Sequence, residues 1–198
     1  LIACSVLALA LIIERFISLK TIKIAPPKLL DEVLNVARTA VPGPDVVTQL
    51  ERNSALGEVL AAGLRTVNAH PRCSEEDLRS AMEGTGRIVA HRLERYLSAL
   101  ATIASTAPLM GLFGTVVGMI EIFGSQAPTG ANNPAALAHG ISIALYNTAF
   151  GLIIAIPALM FYRYFRGRVD DHLMTMELAA ERMVPHLMRF AVRPATQA

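Results

Sequence analysis

The chain is poor in charge. Asp, Glu, Lys and Arg together make up 17% of its 198 residues, whereas a soluble domain usually carries roughly 25%. Hydrophobic residues make up 53%, and the mean hydropathy is +0.45. This balance excludes an ordinary water-soluble domain and indicates a protein of the membrane.

Other scarcities exclude whole classes of function. There is no Trp, the net charge is only +2, and the basic residues are not clustered around aromatics, so we expect no nucleic-acid partner. Cys4 lies in an apolar segment and Cys73 in a polar one, so neither a disulfide nor a metal framework is predicted. No histidine has a His or Cys at a ligand-like spacing, and no nucleophile motif occurs. We therefore predict no enzyme, no metal and no cofactor.

Long apolar runs are what the chain does have. Residues 1–19, 96–123 and 140–162 each approach or reach the roughly 20 residues that cross a bilayer as a helix, and Tyr96–Ile120 is free of charge. Buried helices of a soluble protein are the alternative, but 198 residues offer too little polar chain to cover them. We predict an all-α integral membrane protein with three transmembrane helices and long cytoplasmic helical extensions. Because Leu1 already lies in an apolar run, we expect the natural start to lie upstream.

The positions of Lys and Arg predict the orientation. Twelve of them lie between Arg15 and Arg95, six between Arg163 and Arg193, and none in the 124–139 loop. By the positive-inside rule, that loop faces away from the cytoplasm. The N-terminus then lies outside as well, and residues 20–95 and 163–198 are cytoplasmic.

The cytoplasmic region predicts helices but no soluble core. Short helices are expected at Leu29–Thr39 and Val46–Asn68. Ser74, followed by three acidic residues, is a good N-cap for a helix that could continue from Glu75 to Phe123. After the third span an apolar seam repeats at steps of four and three. It indicates either a bundle between chains or an amphipathic helix lying on its own protein, and it comprises Val169, Leu173, Met176, Ala180, Met183 and Leu187.

Small residues recur on one face of the third span. They are spaced by four, four, three and four residues, which places them on one helical face, and they are Gly140, Ala144, Thr148, Gly151 and Ala155. The second span carries Gly111, Gly114 and Gly118, of which the last two form a GxxxG pair. Such surfaces favour close approach of helices, so we predict helix packing at these glycines and alanines.

A polar trace accompanies this surface. Thr115, Thr148 and Asn147 are candidates for lining a proton path, since a buried amide in lipid needs a partner helix or water. The alternative for Thr115 is a hydroxyl bonded to its own helix, and for His139 an interfacial role rather than a proton relay. The charge-free stretches supply no titrating group, so we expect that group to come from another chain.

At these residues the chain resembles a known family. The segments GLFGTVVGMIEIF (111–123), GISIALYNTAFGLIIAIPALMFYRYF (140–165) and IIERF (12–16) look like the ExbB/TolQ/MotA proton-channel family. The resemblance covers most of the chain, and the GTVVGMIEIF wording is closer to ExbB than to TolQ. MotA-like stator proteins have an additional span, which the apolar runs here do not include.

The resemblance implies a machine of several chains. It implies a homopentamer in the lipid bilayer, two copies of a single-span ExbD-like partner with a membrane aspartate inside the pore, and a TonB-like protein that energises outer-membrane uptake of iron–siderophores or cobalamin. The pore-facing threonines of the family match Thr115 and Thr148. Ile143 stands where a GIxEAL pattern often carries an acid, and Asn147 replaces a small residue. An ExbB-like motor subunit is the leading hypothesis; a TolQ-like subunit and a non-conducting scaffold are the alternatives.

Overall fold

The structure, a computed structural model, describes residues 1–37, 41–126 and 134–191, and its regular elements within these ranges are helices. They are α1 (Ile2–Ser18), α2 (Thr21–Ile24), α3 (Leu29–Ala37), α4 (Pro44–Asn53), α5 (Ala55–Ala69), α6 (Glu75–Glu94), α7 (Leu97–Gln126) and α8 (Pro134–Leu187). The all-α prediction is confirmed.

Within the described residues, two helical segments are long and apolar enough to cross a membrane, Glu75–Gly124 and Leu137–Leu187. A third is obtained if the bent pair Ile2–Ser18 and Thr21–Ala37 is taken as one broken span. The helices extend beyond the predicted spans. In particular, α8 begins at Pro134, a residue whose missing N–H and fixed φ suit the first position of a helix.

The described chain divides into two compact units. The first, which we call the membrane unit, comprises residues 1–15 and 96–165, and therefore α1, α7 and the first part of α8. The second, which we call the polar unit, comprises residues 16–95 and the chain from residue 166 onward.

The polar unit has a hydrophobic core, so the expectation that no soluble core exists is wrong. Several large side chains are fully buried there, among them Leu60, Leu64, Leu78, Met183 and Leu187. They come from three different helices, α5, α6 and α8. The sequence hides this core because each helix contributes only a few of its members.

The predicted helix Val46–Asn68 is two helices. Ser54 adopts an extended conformation between α4 and α5, and its Oγ accepts a hydrogen bond from the Gly57 N–H at 3.0 Å. This capping bond satisfies a backbone donor at the start of α5. A Cβ at Gly57 would overlap the Leu50 carbonyl, so glycine permits the sharp reversal.

The other helix predictions fare better. The helix predicted at Leu29–Thr39 is α3, and Thr39 lies outside the described residues. Ser74 caps α6 in a reciprocal capping box with Asp77. The predicted helix Glu75–Phe123 is interrupted only by a turn at Arg95 and Tyr96, where Arg95 keeps right-handed helical angles.

The apolar seam of α8 is covered within its own chain. Val169, Met176, Met183 and Leu187 are buried, while Leu173 and Ala180 are half-buried beside a groove between α6 and α8. Arg166 pairs with Glu94 at 2.8 Å, and Arg79 pairs with Glu181. In these two pairs the later residue of α6 contacts the earlier residue of α8, and the earlier residue of α6 contacts the later residue of α8. The two helices are therefore antiparallel. The seam is therefore the buried face of an amphipathic helix packed on its own subunit.

Candidate functional site

In the membrane unit, α7 and α8 approach each other through glycine. A Cβ built at Gly151 would lie 2.7 Å from the carbonyl oxygen of Ala107, and one built at Gly111 would lie 2.7 Å from that of Asn147. Both distances are too short for a real Cβ, and in both cases the neighbour is backbone. The close approach of the two helices therefore requires glycine at these positions.

The same contact continues toward the far end of α7. A Cβ at Gly118 would lie 3.4 Å from the Cβ of Ala144, and one at Gly140 would lie 2.6 Å from the Cδ1 of Ile122. The paired residue numbers rise on one helix as they fall on the other, which is the register of an antiparallel pair. The small-residue face of α8 thus lies against α7 within one subunit, and Ala155 on that face is also buried.

Asn147 occupies a notch formed by two glycines. Its carbonyl oxygen faces Gly111, and its Cβ and Nδ2 each lie 3.1 Å from the Cβ position of Gly114. The side chain is half-buried. The glycines of α7 therefore make room for an amide at the centre of the helix pair.

Thr115 is bonded to its own helix. Its Oγ1 donates to the Leu112 carbonyl at 2.6 Å. The acceptor lies three residues back along the helix, where the alternative expected one four residues back. The side chain is half-buried and lines a shallow groove on α7 with Val116, Met119, Ile120 and Phe123. A hydroxyl oxygen that donates in this way still has lone pairs to accept a bond from water.

Thr148 and Thr115 lie on the same flank of the helix pair but at different levels. The Thr148 Cα lies 3.0 Å from the Cβ position of Gly111, and Thr115 is four residues further along α7, about one helical turn. Thr115 precedes Gly118 by three residues, and Thr148 follows Ala144 by four. Three residues back and four residues forward rotate a side chain around the helix axis by similar angles in the same direction. An antiparallel helix pair has an approximate two-fold axis. Residues that are rotated away from the contact in the same direction on the two helices therefore lie on the same flank of the pair.

A buried arginine in this unit was missed by the sequence reasoning. The Arg15 side chain is 3% exposed, its Cζ lies 4.8 Å from the centre of the Tyr96 ring, and its Nε and Nη2 bond to the two carboxylate oxygens of Glu14 at 2.6 and 3.0 Å. The charged pair in the IIERF segment, at the end of an apolar run, was the available signal. This contact joins α1 to the start of α7.

Residues 51–178, more than half of the chain, match the sequence profile described as the MotA/TolQ/ExbB proton channel family. The chain belongs to this family. The match begins in α4 and ends in α8, so it includes all of α7 and the part of α8 that packs against it. The family is one of membrane proton channels and not of enzymes, as predicted from the sequence.

Individual relatives agree with this membership. A Synechocystis protein named biopolymer transport protein ExbB-like 3 is 33% identical over 171 residues, 84% of this chain and 79% of that protein. Biopolymer transport protein ExbB of Pseudomonas putida is 39% identical over 134 residues, which cover 54% of this chain and 41% of that protein. The Tol-Pal system protein TolQ of Pseudomonas aeruginosa is 34% identical over 125 residues, which cover 60% of this chain and 54% of TolQ. ExbB names thus stand beside a TolQ name, and the chain spans about half the length of these last two relatives.

Proposed function

We propose that this chain is the ExbB-like, ring-forming subunit of a motor in the bacterial inner membrane, driven by the proton-motive force. The motor energises TonB-dependent transport of iron–siderophores or cobalamin across the outer membrane. Family membership supports the channel, and the predominance of ExbB among the relatives' names supports the TonB system. The observation that carries the proton path is the pair of hydroxyls, Thr115 and Thr148, on one flank of the α7–α8 pair.

The proposed assembly has an acidic partner inside a ring. Five copies of this chain surround two copies of an ExbD-like single-span protein, whose membrane aspartate takes up and releases the proton. Thr115 and Thr148 supply hydroxyls along the path on one flank of the pair, and Asn147 supplies an amide between the two helices, because hydroxyls and amides can hold water but do not titrate near neutral pH. A TonB-like protein carries the resulting motion to the outer membrane.

The proposed orientation follows from charge. The 127–133 connection between α7 and α8 contains no Lys or Arg, whereas Lys20, Lys23 and Lys28 follow the first apolar helix directly. Basic residues are retained on the cytoplasmic side and are attracted by its anionic lipids. The polar unit is therefore cytoplasmic, and the connection is periplasmic.

Thr148→Val tests the role of the hydroxyl. Valine has nearly the same shape but cannot bond water, so we expect TonB-dependent uptake to fall to the level of cells that lack this chain. Thr175→Val is the matched control, since Thr175 lies on the same helix in the polar unit and its hydroxyl donates to the Asp171 carbonyl of its own helix. Uptake is measured with a radiolabelled ferric siderophore, and assembly by co-purification of the partner. Normal uptake by an assembled Thr148→Val complex would remove Thr148 from the path.

A TolQ-like subunit of the Tol-Pal envelope system is the second candidate, favoured by the TolQ relative. Expression in cells that lack ExbB and in cells that lack TolQ separates the two. Restored siderophore uptake supports the proposal, and restored detergent resistance alone supports the Tol-Pal role.

A non-conducting scaffold is the third candidate. The complex purified with its native partner is reconstituted into vesicles that contain a pH-sensitive dye, and a potassium diffusion potential drives protons inward. Dye acidification equal to that of empty vesicles would favour the scaffold.

A further inference from the structure

One carboxylate stands alone in the membrane unit's long apolar sequence. Between Arg95 and Arg163, Glu121 is the sole Asp, Glu, Lys or Arg, and His139 is the sole histidine. Glu121 falls within the predicted second span, 96–123, just beyond its charge-free stretch. A charged group at such a position is costly and calls for a function.

In the structure, Glu121 and His139 lie at similar heights along the α7–α8 pair. A Cβ at Gly140 would lie 2.6 Å from the Cδ1 of Ile122, and His139 and Glu121 are the residues that precede this contacting pair on α8 and α7. They therefore lie within about one helical turn of each other along the antiparallel pair. Both side chains are exposed on the surface of the described chain.

Glu121 also shares a flank with Asn147. Gly118 packs against Ala144, Glu121 follows Gly118 by three residues, and Asn147 follows Ala144 by three. Equal steps on the two helices of an antiparallel pair lead to the same flank. By the same argument, Thr115, three residues before Gly118, lies on the opposite flank.

Ile143 belongs to the flank of Glu121. Ile143 immediately precedes Ala144. One residue back and three residues forward rotate a side chain around the helix axis in the same direction, so Ile143 and Asn147 lie on the same side of α8. The level of Ile143 is that of Gly118, less than one helical turn from Glu121. A carboxylate at 143 would therefore enter the same region of the pair that Glu121 reaches from α7.

We propose that Glu121 is the proton-accepting carboxylate at the outer end of the α7–α8 pair, with His139 as its exchange partner. The proposal rests on the proposed proton channel and its orientation. The Glu121 carboxylate accepts a proton from hydronium, which leaves a water molecule, and the protonated carboxyl then gives the proton to His139 or to the next water. No electron moves, and the carboxylate is regenerated for the next proton. Carboxylates and imidazole are the side chains suited to such exchange.

Few other titratable groups face this pair. On α8, Tyr146 is exposed about two turns from His139. On α1, Cys4 lies beside Met110, with 3.9 Å between the sulfurs, and Glu14 and Arg15 lie near Tyr96 at the other end of α7. Among the described residues of the membrane unit, no cation is therefore placed to hold Glu121 in an ion pair.

The first test is Glu121→Gln in the complete complex, purified with its native partner and reconstituted in vesicles that contain a pH-sensitive dye. Glutamine keeps the size and the polarity but cannot take up a proton. We expect proton flux to fall about tenfold, below the 10²–10⁴-fold that a rate-limiting proton-transfer group contributes. His139→Gln should lower flux less and change its dependence on external pH.

The second test moves the carboxylate. Glu121→Gln combined with Ile143→Glu should recover most of the flux, because the new carboxylate lies on the same flank at nearly the same level. Glu121→Gln combined with Leu159→Glu is the matched control. It places a carboxylate at another exposed position of α8, more than four helical turns from Ile143, and we expect no recovery.

The outcomes separate this inference from the proposed function. Wild-type flux no greater than that of empty vesicles contradicts the channel itself. Wild-type flux that Glu121→Gln leaves unchanged overturns only the role of Glu121. Loss without recovery by Ile143→Glu, in complexes that retain the partner, overturns the claim that the flank and level of the carboxylate decide its action.

Discussion

The helices of the two units meet in different ways. In the membrane unit, α7 and α8 meet through Gly111, Gly118 and Gly151, and large apolar side chains such as Phe113 and Leu145 are exposed. In the polar unit, large side chains such as Leu60 and Leu64 are fully buried. The difference follows from the solvent. Water drives apolar side chains together, whereas lipid does not, so helices in a membrane gain from close backbone packing instead.

Replacement of glycine by a residue with a Cβ should therefore be tolerated differently in the two units. At Gly151 a Cβ would meet backbone atoms of α7, including Gly111 and Pro108 at 3.3 Å. At Gly63 of the polar unit, a Cβ would meet Met82 Sδ at 2.8 Å and Leu187 Cδ1 at 3.1 Å. These are the ends of flexible side chains, and methionine in particular adapts its shape.

The largest effect is expected from Gly151→Ala. Because backbone cannot move aside, we expect a loss of about 3 kcal/mol in the free energy of unfolding, at the upper end for overpacking. Gly63→Ala should change it by about 1 kcal/mol or less, since methionine repacks and alanine favours helix. Thermal unfolding of the purified complex measures both.

Gly167→Ala provides the control for this pair. Gly167 also lies in α8, and within the described chain a Cβ there would meet no atom of a neighbouring element within 4 Å. Alanine should therefore leave stability unchanged or raise it slightly through helix propensity. Similar losses at Gly151 and Gly63 would contradict the contrast between the two units.

The sequence predicts the fold class and much of the helix pattern because these depend on local signals. Ser74 with its acidic neighbours announces α6, and the spacing of small residues from Gly140 to Ala155 identifies the face that lies on α7. The segments 111–123 and 140–165, which resemble the family, identify the proton channel. Such signals are readable because each is carried by residues within one or two helical turns.

The rest depends on contacts that are distant in sequence. The core of the polar unit joins α5, α6 and α8, and no single segment reveals it. Ser54 could have been recognised as an N-cap before an apolar run, but the preceding α4 is compatible with a continuous helix. The levels of Thr115 and Thr148, which differ by about one turn, and the common level of Glu121 and His139 require the register of α7 against α8. That register is set by the glycine contacts.

The buried basic side chains extend the comparison, because each unit has one among its described residues. In the membrane unit, Arg15 is held by Tyr96 and by both carboxylate oxygens of Glu14. Arg15→Met keeps the length but removes the charge, and we expect a loss of about 2 kcal/mol, typical of a desolvated cation–π contact together with charge-assisted bonds. Arg15→Lys should be intermediate, because an ammonium group cannot make the bidentate contact.

The control for Arg15 is Arg92→Met in the polar unit. Arg92 pairs with Glu58 at 2.5 Å, but its own side chain is exposed, and exposed pairs contribute little, about 0.5 kcal/mol. Thermal unfolding of the complexes compares the two variants. An equal loss at both positions would show that burial of Arg15 adds nothing to its contact.

The smallest effect is expected at His172, the buried basic group of the polar unit. Its Nε2 lies 3.3 Å from the Leu19 carbonyl oxygen, an acceptor, so the ring nitrogen donates. Burial lowers the pKa of His172, the bond to Leu19 opposes this shift, Arg168 lowers the pKa further, and Asp171 opposes it. The net direction is downward, so the neutral imidazole is the form that the folded unit prefers.

The sign of the pH effect follows from that preference. As pH falls below the ordinary histidine pKa of about 6.5, the unfolded chain binds a proton before the folded one does, and stability is lost toward acid. His172→Gln retains a donor for the Leu19 carbonyl but cannot titrate, so its stability should depend less on pH across this range. His186→Gln, on the same helix with a half-exposed ring, is the control and should keep the wild-type dependence. Thermal unfolding of the complex on either side of this pKa decides the matter: if His172→Gln and wild type lose stability in parallel, another group carries the acid sensitivity of the polar unit.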